Sequence, residues 1–372
     1  MKILFLCTYY HRAMIFRDLM EALKKIGKNV VAFNAVSYGT KIDKKYENIM
    51  DDLVIHRECF SKWDRFFYFY KQKKIFKELI KSVNLKNIEM IHAHTLFNGG
   101  YVAYLANKQF KIPYIISVRN TDMNIFLKLP YFKKIANQII ENSLGVQFLS
   151  IPYKKLYLEK YCNDNQKIRL EEKSSVIRNG LEEFWINNRL TQEKKIDKFI
   201  IKILCVGKID KNKNLSTTLK AIEILRKVGY EIEFTIVGQV VEKEIFKILK
   251  TKNFVKLIKY LNKEELLEVY RKNDIFVMPS INETFGRVYA EAMTQGLPVI
   301  YSKNQGFDEI FEDGYIGNAV PSMDADYIAK KILEIKDNYE LISKRCIENS
   351  GMFNWKNIAA ELNNFYKELS NK

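Results

Sequence analysis

Short apolar runs, each too brief for a helix, alternate along this chain with segments of helical period, and the alternation begins twice. Ile3 to Cys7 reads as a strand, Phe16 to Lys25 as a helix and Val30 to Asn34 as a second strand. Phe199 to Val206 restarts the pattern, with Leu215 to Val228 as its helix and Phe234 to Val237 as the next strand. Strands joined through helices pair parallel, with the helices covering both faces of the sheet. The chain is therefore expected to be α/β. At 372 residues it is long for a single core, which predicts two domains, one over 1–190 and one over 199–350. The polar stretch Asn187 to Lys198 reads as the linker between them.

The most informative stretch runs from Asp274 to Asp308. Ile275 to Met278 has the length of a buried strand and stops at Pro279-Ser280. Gly286 to Gln295 reads as a helix, with Val288, Ala292 and Met293 on one face, Gly296 as its C-terminal cap and Pro298 blocking its continuation. Glu283 precedes the helix and Glu291 lies inside it, roughly 10 Å further along the axis. Between them fall the N–H groups around Phe285 to Arg287, where the helix dipole favours a phosphate. Carboxylates on either side of a phosphate site suit a ligand with hydroxyls at both ends and phosphates in the middle. A nucleotide-sugar has that layout. Spacing alone fits an ordinary helix with an acidic first turn and one surface glutamate equally well.

The run PSINETFGRVYAEAMTQGLPVI resembles the Glu-x7-Glu signature of the retaining GT-B glycosyltransferases of family four, also described as glycosyl transferases group 1. It carries their Pro-Ser, Glu-x-Phe-Gly, Glu-Ala-Met and Gly-x-Pro-Val. The resemblance implies the GT-B fold: two Rossmann-like domains facing a cleft, acceptor in the first and donor in the second, with helix 355–369 returning to the first. It implies that Glu283 contacts the donor sugar and Glu291 the ribose hydroxyls. The turn Thr284, Phe285, Gly286 and Arg287 would hold the diphosphate, and Gly306 would let the donor approach the backbone. Relatives read Gly-Arg-Leu-x-x-x-Lys-Gly after the first strand of this domain. Lys208 stands where they have arginine and Lys213 matches their lysine, so both are expected to stabilise charge on the leaving diphosphate. Taken alone, a lysine-rich turn is as readily solvated surface, and Lys208 lacks the arginine fork. The implied co-substrate is a nucleotide-sugar, with a UDP-sugar the leading candidate, and neither metal nor cofactor is expected.

In the first half, Ile91-His92-Ala93-His94 places two histidines on one side of a strand. A metal pair would need a third ligand, which is not evident, so His94 is expected to serve structure or a substrate loop. Relatives place His-Gly-x-Asp after the following strand, where this chain has Arg119-Asn120-Thr121-Asp122. A histidine role does not carry over. Arg119 is left to supply positive charge, and Asp122 to bind acceptor or sugar hydroxyls. The loop Thr8-Tyr9-Tyr10-His11 lacks the Gly-Gly pair of relatives.

Charge matters most for partners. The chain has 61 basic and 44 acidic residues, a net +17. Such an excess suits nucleic acid, an anionic membrane or a phosphorylated substrate. No nucleic-acid motif accompanies it. From Phe60 to Val83, apolar residues at helical spacing sit among seven Lys/Arg and two acids. Such a helix can lie on an anionic membrane, or bury its apolar face in the domain and leave its lysines solvated. Phe126 to Ile140 reads as a second basic, aromatic helix. Five scattered cysteines point to reduced thiols, and the short first apolar run to a strand rather than a signal peptide. The expectation is a cytoplasmic enzyme, peripheral on the inner face of the membrane. It would transfer sugar to a glycan or lipid-linked acceptor in bacterial surface polysaccharide or lipopolysaccharide assembly. Two alternatives remain at this stage: a nucleotide-sugar epimerase, and a non-catalytic sugar- or nucleic-acid-binding protein.

Overall fold

A computed structural model describes residues 2–8, 10, 14–42, 54–197 and 199–371. Tyr9 and His11 of the first loop lie outside the described residues. The chain divides into two compact units, one of residues 1–149, 154–180 and 355–372, the other of 150–153 and 181–354.

The first unit is built on seven strands: β1 (Lys2–Cys7), β2 (Asn29–Ser37), β3 (Val54–Phe60), β4 (Met90–Ala93), β5 (Tyr114–Val118), β6 (Gly145–Phe148) and β7 (Ser174–Val176). They pair in the order β3-β2-β1-β4-β5-β6-β7, and every pairing is parallel. Residues 3–7 of β1 and all of β4 and β5 are buried, because helices cover both faces and leave no polar side to alternate. Helix Trp355–Ser370 belongs to this unit. Its Ile358, Leu362, Phe365 and Leu369 share a core with Phe16, Leu19 and Leu23 of helix Ile15–Lys25.

Buried hydrogen bonds reinforce that docking. His92 contacts the Tyr366 hydroxyl through Nδ1 at 2.7 Å and Ser117 Oγ through Nε2 at 2.8 Å. Ser117 donates to Gln147 Oε1 and Gln147 donates to the Ile177 carbonyl. Ser117 thus spends its proton on Gln147 and accepts from His92 Nε2–H, which leaves Nδ1 to accept from Tyr366. Burial pushes the His92 pKa down to about 3, so the ring stays neutral.

The second unit has six parallel strands: β8 (Ile200–Val206), β9 (Glu231–Val237), β10 (Val255–Ile258), β11 (Ile275–Val277), β12 (Val299–Ser302) and β13 (Gly317–Val320). Their order is β10-β9-β8-β11-β12-β13. The sheet is wound outward in both directions from the β8–β11 pair. Loops at the carboxyl ends of such a pair diverge and leave room for a ligand.

Several boundaries differ from the sequence reading. Residues 181–190, expected in the first domain, belong to the second unit, where Leu181 and Trp185 join the core. The expected linker is packed: Leu190 N–H bonds the Thr294 carbonyl, and the Lys194 backbone N–H bonds Ser343 Oγ. The single helix expected from Phe126 to Ile140 is a short 3-10 turn followed by helix Pro130–Glu141. Pro130 cannot donate into a preceding turn, so it starts a helix instead of continuing one. The stretch expected as one helix over 60–83 is a 3-10 turn, Trp63–Phe66, followed by helix Tyr68–Ser82. Its Ile75 and Leu79 are core, whereas Trp63, Phe66, Phe67 and Tyr70 are exposed.

Candidate functional site

The two loops beside the β8–β11 pair carry the lysine turn and Glu283. After β8, Gly207 leads to a 3-10 turn, Lys211–Lys213, whose N-terminus is capped by Asp210 accepting from the Lys213 N–H at 3.1 Å. Asn212 stitches this turn to the other loop: its amide donates to the Asn282 carbonyl at 3.0 Å and its Oδ1 accepts from Asn282 N–H at 3.0 Å. Asn214 donates to the Pro279 carbonyl at 3.1 Å. Lys213 Nζ then reaches Glu283 Oε2 at 2.8 Å. Both ions sit largely out of water, which strengthens their attraction and makes each dependent on the other. Lys208 is exposed.

A third loop, after β12, locks Glu283 from the opposite side. Glu283 N–H donates to Gln305 Oε1 at 2.9 Å, and Gly306 N–H donates to the Glu283 carbonyl at 2.7 Å. A Cβ on Gly306 would lie 2.0 Å from the Thr284 carbonyl carbon and 2.4 Å from the Phe285 nitrogen. The sequence reading assigned this glycine to close approach of the donor. The structure gives it instead to close approach of the Thr284 backbone, and its N–H is already spent on Glu283.

Helix Arg287–Thr294 begins one residue later than expected, with Gly286 as N-cap at φ +75. A side chain there would be strained and would strike the Tyr289 ring at 2.4 Å. Phe285 is buried against Phe307 and Phe353, with ring centroids 6.0 and 5.7 Å away. Its side chain anchors the turn. Thr284 is buried too, and Arg287 is half-buried. The first-turn N–H groups therefore sit on a backbone held by core packing, next to the Lys213–Glu283 pair.

Glu291 is buried, not a surface glutamate. The Tyr270 hydroxyl donates to its Oε2 at 3.3 Å, and burial raises its pKa while Arg287, one turn earlier, pulls it back. Tyr270 is itself fixed edge-on by Trp185 at 5.5 Å. Sequence reasoning missed Tyr270, Asn212 and Gln305. Only Tyr270 left a signal, as an aromatic ring on the helical stretch before β11, and nothing local says where its hydroxyl points.

In the first unit, Arg119, Asp122 and His94 are brought together but turned inward. Asp122 accepts backbone N–H groups from Arg119, Leu96 and Phe97 at 2.8, 3.0 and 3.2 Å and is fully buried. Its expected contact with sugar hydroxyls gives way to this role, because both carboxylate oxygens tie the turns after β4 and β5 together. Burial pushes its pKa up to about 6, against the pull of those N–H groups and of Arg119. The Arg119 guanidinium donates to the His94 carbonyl at 3.1 Å, to His94 Nδ1 at 3.4 Å and to Asn179 Oδ1 at 3.2 Å. An arginine only donates, so His94 Nδ1 accepts and the ring proton sits on Nε2. Burial and the neighbouring His92 and Arg119 hold that ring neutral.

Comparison with known proteins agrees with this architecture. The profile of the family described as glycosyl transferases group 1 matches residues 186–351. An uncharacterised glycosyltransferase of Methanocaldococcus jannaschii is 26% identical over 100% of this chain and 99% of its own length. The capsular polysaccharide biosynthesis glycosyltransferase CapM of Staphylococcus aureus is 23% identical over 100% of this chain and 99% of its own. Among solved structures, Anabaena HepE in complex with UDP superposes with a TM-score of 0.73 at 15% identity, covering 99% of this chain and 100% of that one. Two parallel-sheet, Rossmann-like units with these loops constitute the GT-B fold, and it is the second unit that matches the profile of the glycosyl transferases group 1 family.

Proposed function

We propose that this protein transfers a sugar from a nucleotide-sugar, a UDP-sugar first among candidates, to an acceptor hydroxyl with retention of anomeric configuration. The observation that carries the reading is the Lys213–Glu283 pair, set beside the N-terminus of helix 287–294 at the carboxyl ends of β8 and β11. The diphosphate takes the first-turn N–H groups and the ammonium of Lys213, with Lys208 reaching in from solvent. Glu283, fixed by Lys213 and Gln305, accepts hydroxyls of the sugar, and Glu291 accepts those of the ribose. The C1–O bond to the diphosphate breaks as the acceptor oxygen bonds to C1 from the same face. The acceptor proton passes to a phosphate oxygen of the leaving group. That HepE was solved with UDP supports the nucleotide class. That CapM serves capsular polysaccharide biosynthesis supports a glycan or lipid-linked acceptor in surface polysaccharide or lipopolysaccharide assembly.

The test is a thermal-shift panel of UDP, GDP, ADP and their sugars on the wild type and on Glu291→Ala. A ligand at about 100 times its dissociation constant stabilises by about 2.7 kcal/mol. A response to one nucleotide, reduced in the variant, supports the donor site and names the base. No response to any nucleotide, with or without an acceptor glycan, overturns it. The anomeric proton of a transferred sugar, read by NMR, decides retention.

A further inference from the structure

The first unit carries an exposed aromatic surface that the donor chemistry leaves unused. Trp63, Phe66 and Phe67 are 75%, 78% and 67% exposed, with Tyr70 beside them. A second exposed set, Ile125, Leu129 and Tyr131, belongs to the segment around Pro130. Contacts among half-buried and exposed rings hold the two sets together. Tyr68, at the start of its helix, packs edge-on against Phe126 at 6.3 Å and Phe132 at 5.1 Å, and its hydroxyl donates to the Phe97 carbonyl at 2.8 Å. Phe69 meets Tyr131 at 6.1 Å. The exposed side chains therefore form one preassembled patch on two braced segments.

Exposed charge at residues 60–77 and 123–140, which carry the patch, has one sign. Lys62, Arg65, Lys73 and Lys77 are exposed on the first segment, and Lys128, Lys133 and Lys134 on the second. The one acid between residues 60 and 77, Asp64, is buried and paired with Lys74 at 2.8 Å. Between 123 and 140 there is none. A soluble domain has no reason to place this many large apolar rings in water. A protein partner does not require that the exposed charges on both segments all be cationic. Aromatic rings prefer the headgroup level of a bilayer, and exposed lysines beside them bind anionic headgroups. No helix among the described residues is long and apolar enough to cross a membrane, so contact through this patch would be peripheral.

We propose that the patch built by Trp63, Phe66, Phe67 and Tyr70 with Leu129 and Tyr131 docks the first unit on an anionic bilayer surface, the rings entering the headgroup layer and the surrounding lysines contacting anionic lipid. Docking is independent of the donor chemistry and is measured without nucleotide, so its failure leaves the donor reading standing.

The protein supplies its own probe. Of three tryptophans, Trp185 and Trp355 are buried and Trp63 is exposed. The experiment mixes the full chain with vesicles of phosphatidylcholine alone, of phosphatidylcholine with phosphatidylglycerol, and of the mixture carrying brominated acyl chains. Expected are co-sedimentation with the anionic vesicles only, a blue shift of emission, and quenching by the brominated chains that is lost in Trp63→Phe. Trp63→Ser/Phe66→Ser/Phe67→Ser and, separately, Lys62→Glu/Arg65→Glu/Lys73→Glu should each weaken vesicle binding by about tenfold or more, with nucleotide thermal shifts unchanged as the folding control. Absence of wild-type binding to anionic vesicles overturns the proposal. So does binding that survives both sets of substitutions, or a dimer in solution that the serine substitutions dissociate while vesicles are ignored.

Discussion

The ammonium of Lys213 lies 2.8 Å from Glu283 Oε2, and the two side chains are only 18% and 17% exposed. This pair joins the loops after β8 and β11, so removing either partner leaves an ion without its counter-charge in a half-dry site. Lys213→Ala should lower the rate of sugar transfer by about 100-fold or more, on the scale of removing one charge-stabilising group. Lys208→Ala, at an exposed position, should raise the donor KM with a smaller effect on kcat. Steady-state kinetics on the two variants separates the roles, and equal losses would argue against the pairing's importance.

In the proposed donor site Glu291 needs its charge to accept ribose hydroxyls, and burial raises its pKa. Protonation therefore competes with nucleotide binding at a higher pH than it would for a free glutamate. Nucleotide affinity should fall as pH is lowered toward the carboxylate range, and Glu291→Gln should bind weakly at every pH with a flatter profile. Calorimetric titration across pH measures both. Tyr270→Phe removes the hydroxyl donor at 3.3 Å and should shift the wild-type profile to higher pH.

Gly306→Ala places a methyl 2.0 Å from the Thr284 carbonyl carbon. Backbone must move, at a cost of about 1–3 kcal/mol or more. The displaced backbone is the one that holds Glu283. A lower melting temperature together with a loss of nucleotide response is expected, and a variant with both intact would show that the loop contact is slack.

Tyr366→Phe deletes the hydroxyl that His92 Nδ1 contacts at 2.7 Å. A buried acceptor is left unmade, at about 1–3 kcal/mol. Chemical denaturation should show the loss, with donor binding by the second unit unchanged.

Asp122 gives the first unit a pH dependence of definite sign. Its folded pKa of about 6 lies above the ordinary 3.8, so the folded state holds a proton that the unfolded state has released. Stability from this group is full below the unfolded value and is lost as pH rises from about 4 through about 6, by at most about 3 kcal/mol. Denaturation across that window, compared with Asp122→Asn, should show the slope in the wild type and its absence in the variant.

The sequence by itself determined the α/β class, because brief apolar runs alternating with helical segments leave parallel sheets as the only economical packing. It also set Glu283 just ahead of a helix and Glu291 inside it, since proline, glycine and helical spacing are local signals. The break at Leu129-Pro130 was missed, although the absent N–H of proline is a local signal. Strand β3, VIHRECF, was not: it pairs with β2 alone at the sheet edge, so its polar centre carries no buried-strand signature. What only the tertiary structure decided is which side chains meet. Lys213 and Glu283 stand 70 residues apart, Tyr270 reaches Glu291 from a neighbouring helix, and Gly306 yields its space to Thr284. Those contacts depend on β8, β11 and β12 lying side by side, which brings their carboxyl-end loops within hydrogen-bonding distance. The same holds for Asp122. The family resemblance suggested that it binds acceptor or sugar hydroxyls, and only the packing of the turns after β4 and β5 turned it inward, where three backbone N–H groups claim it.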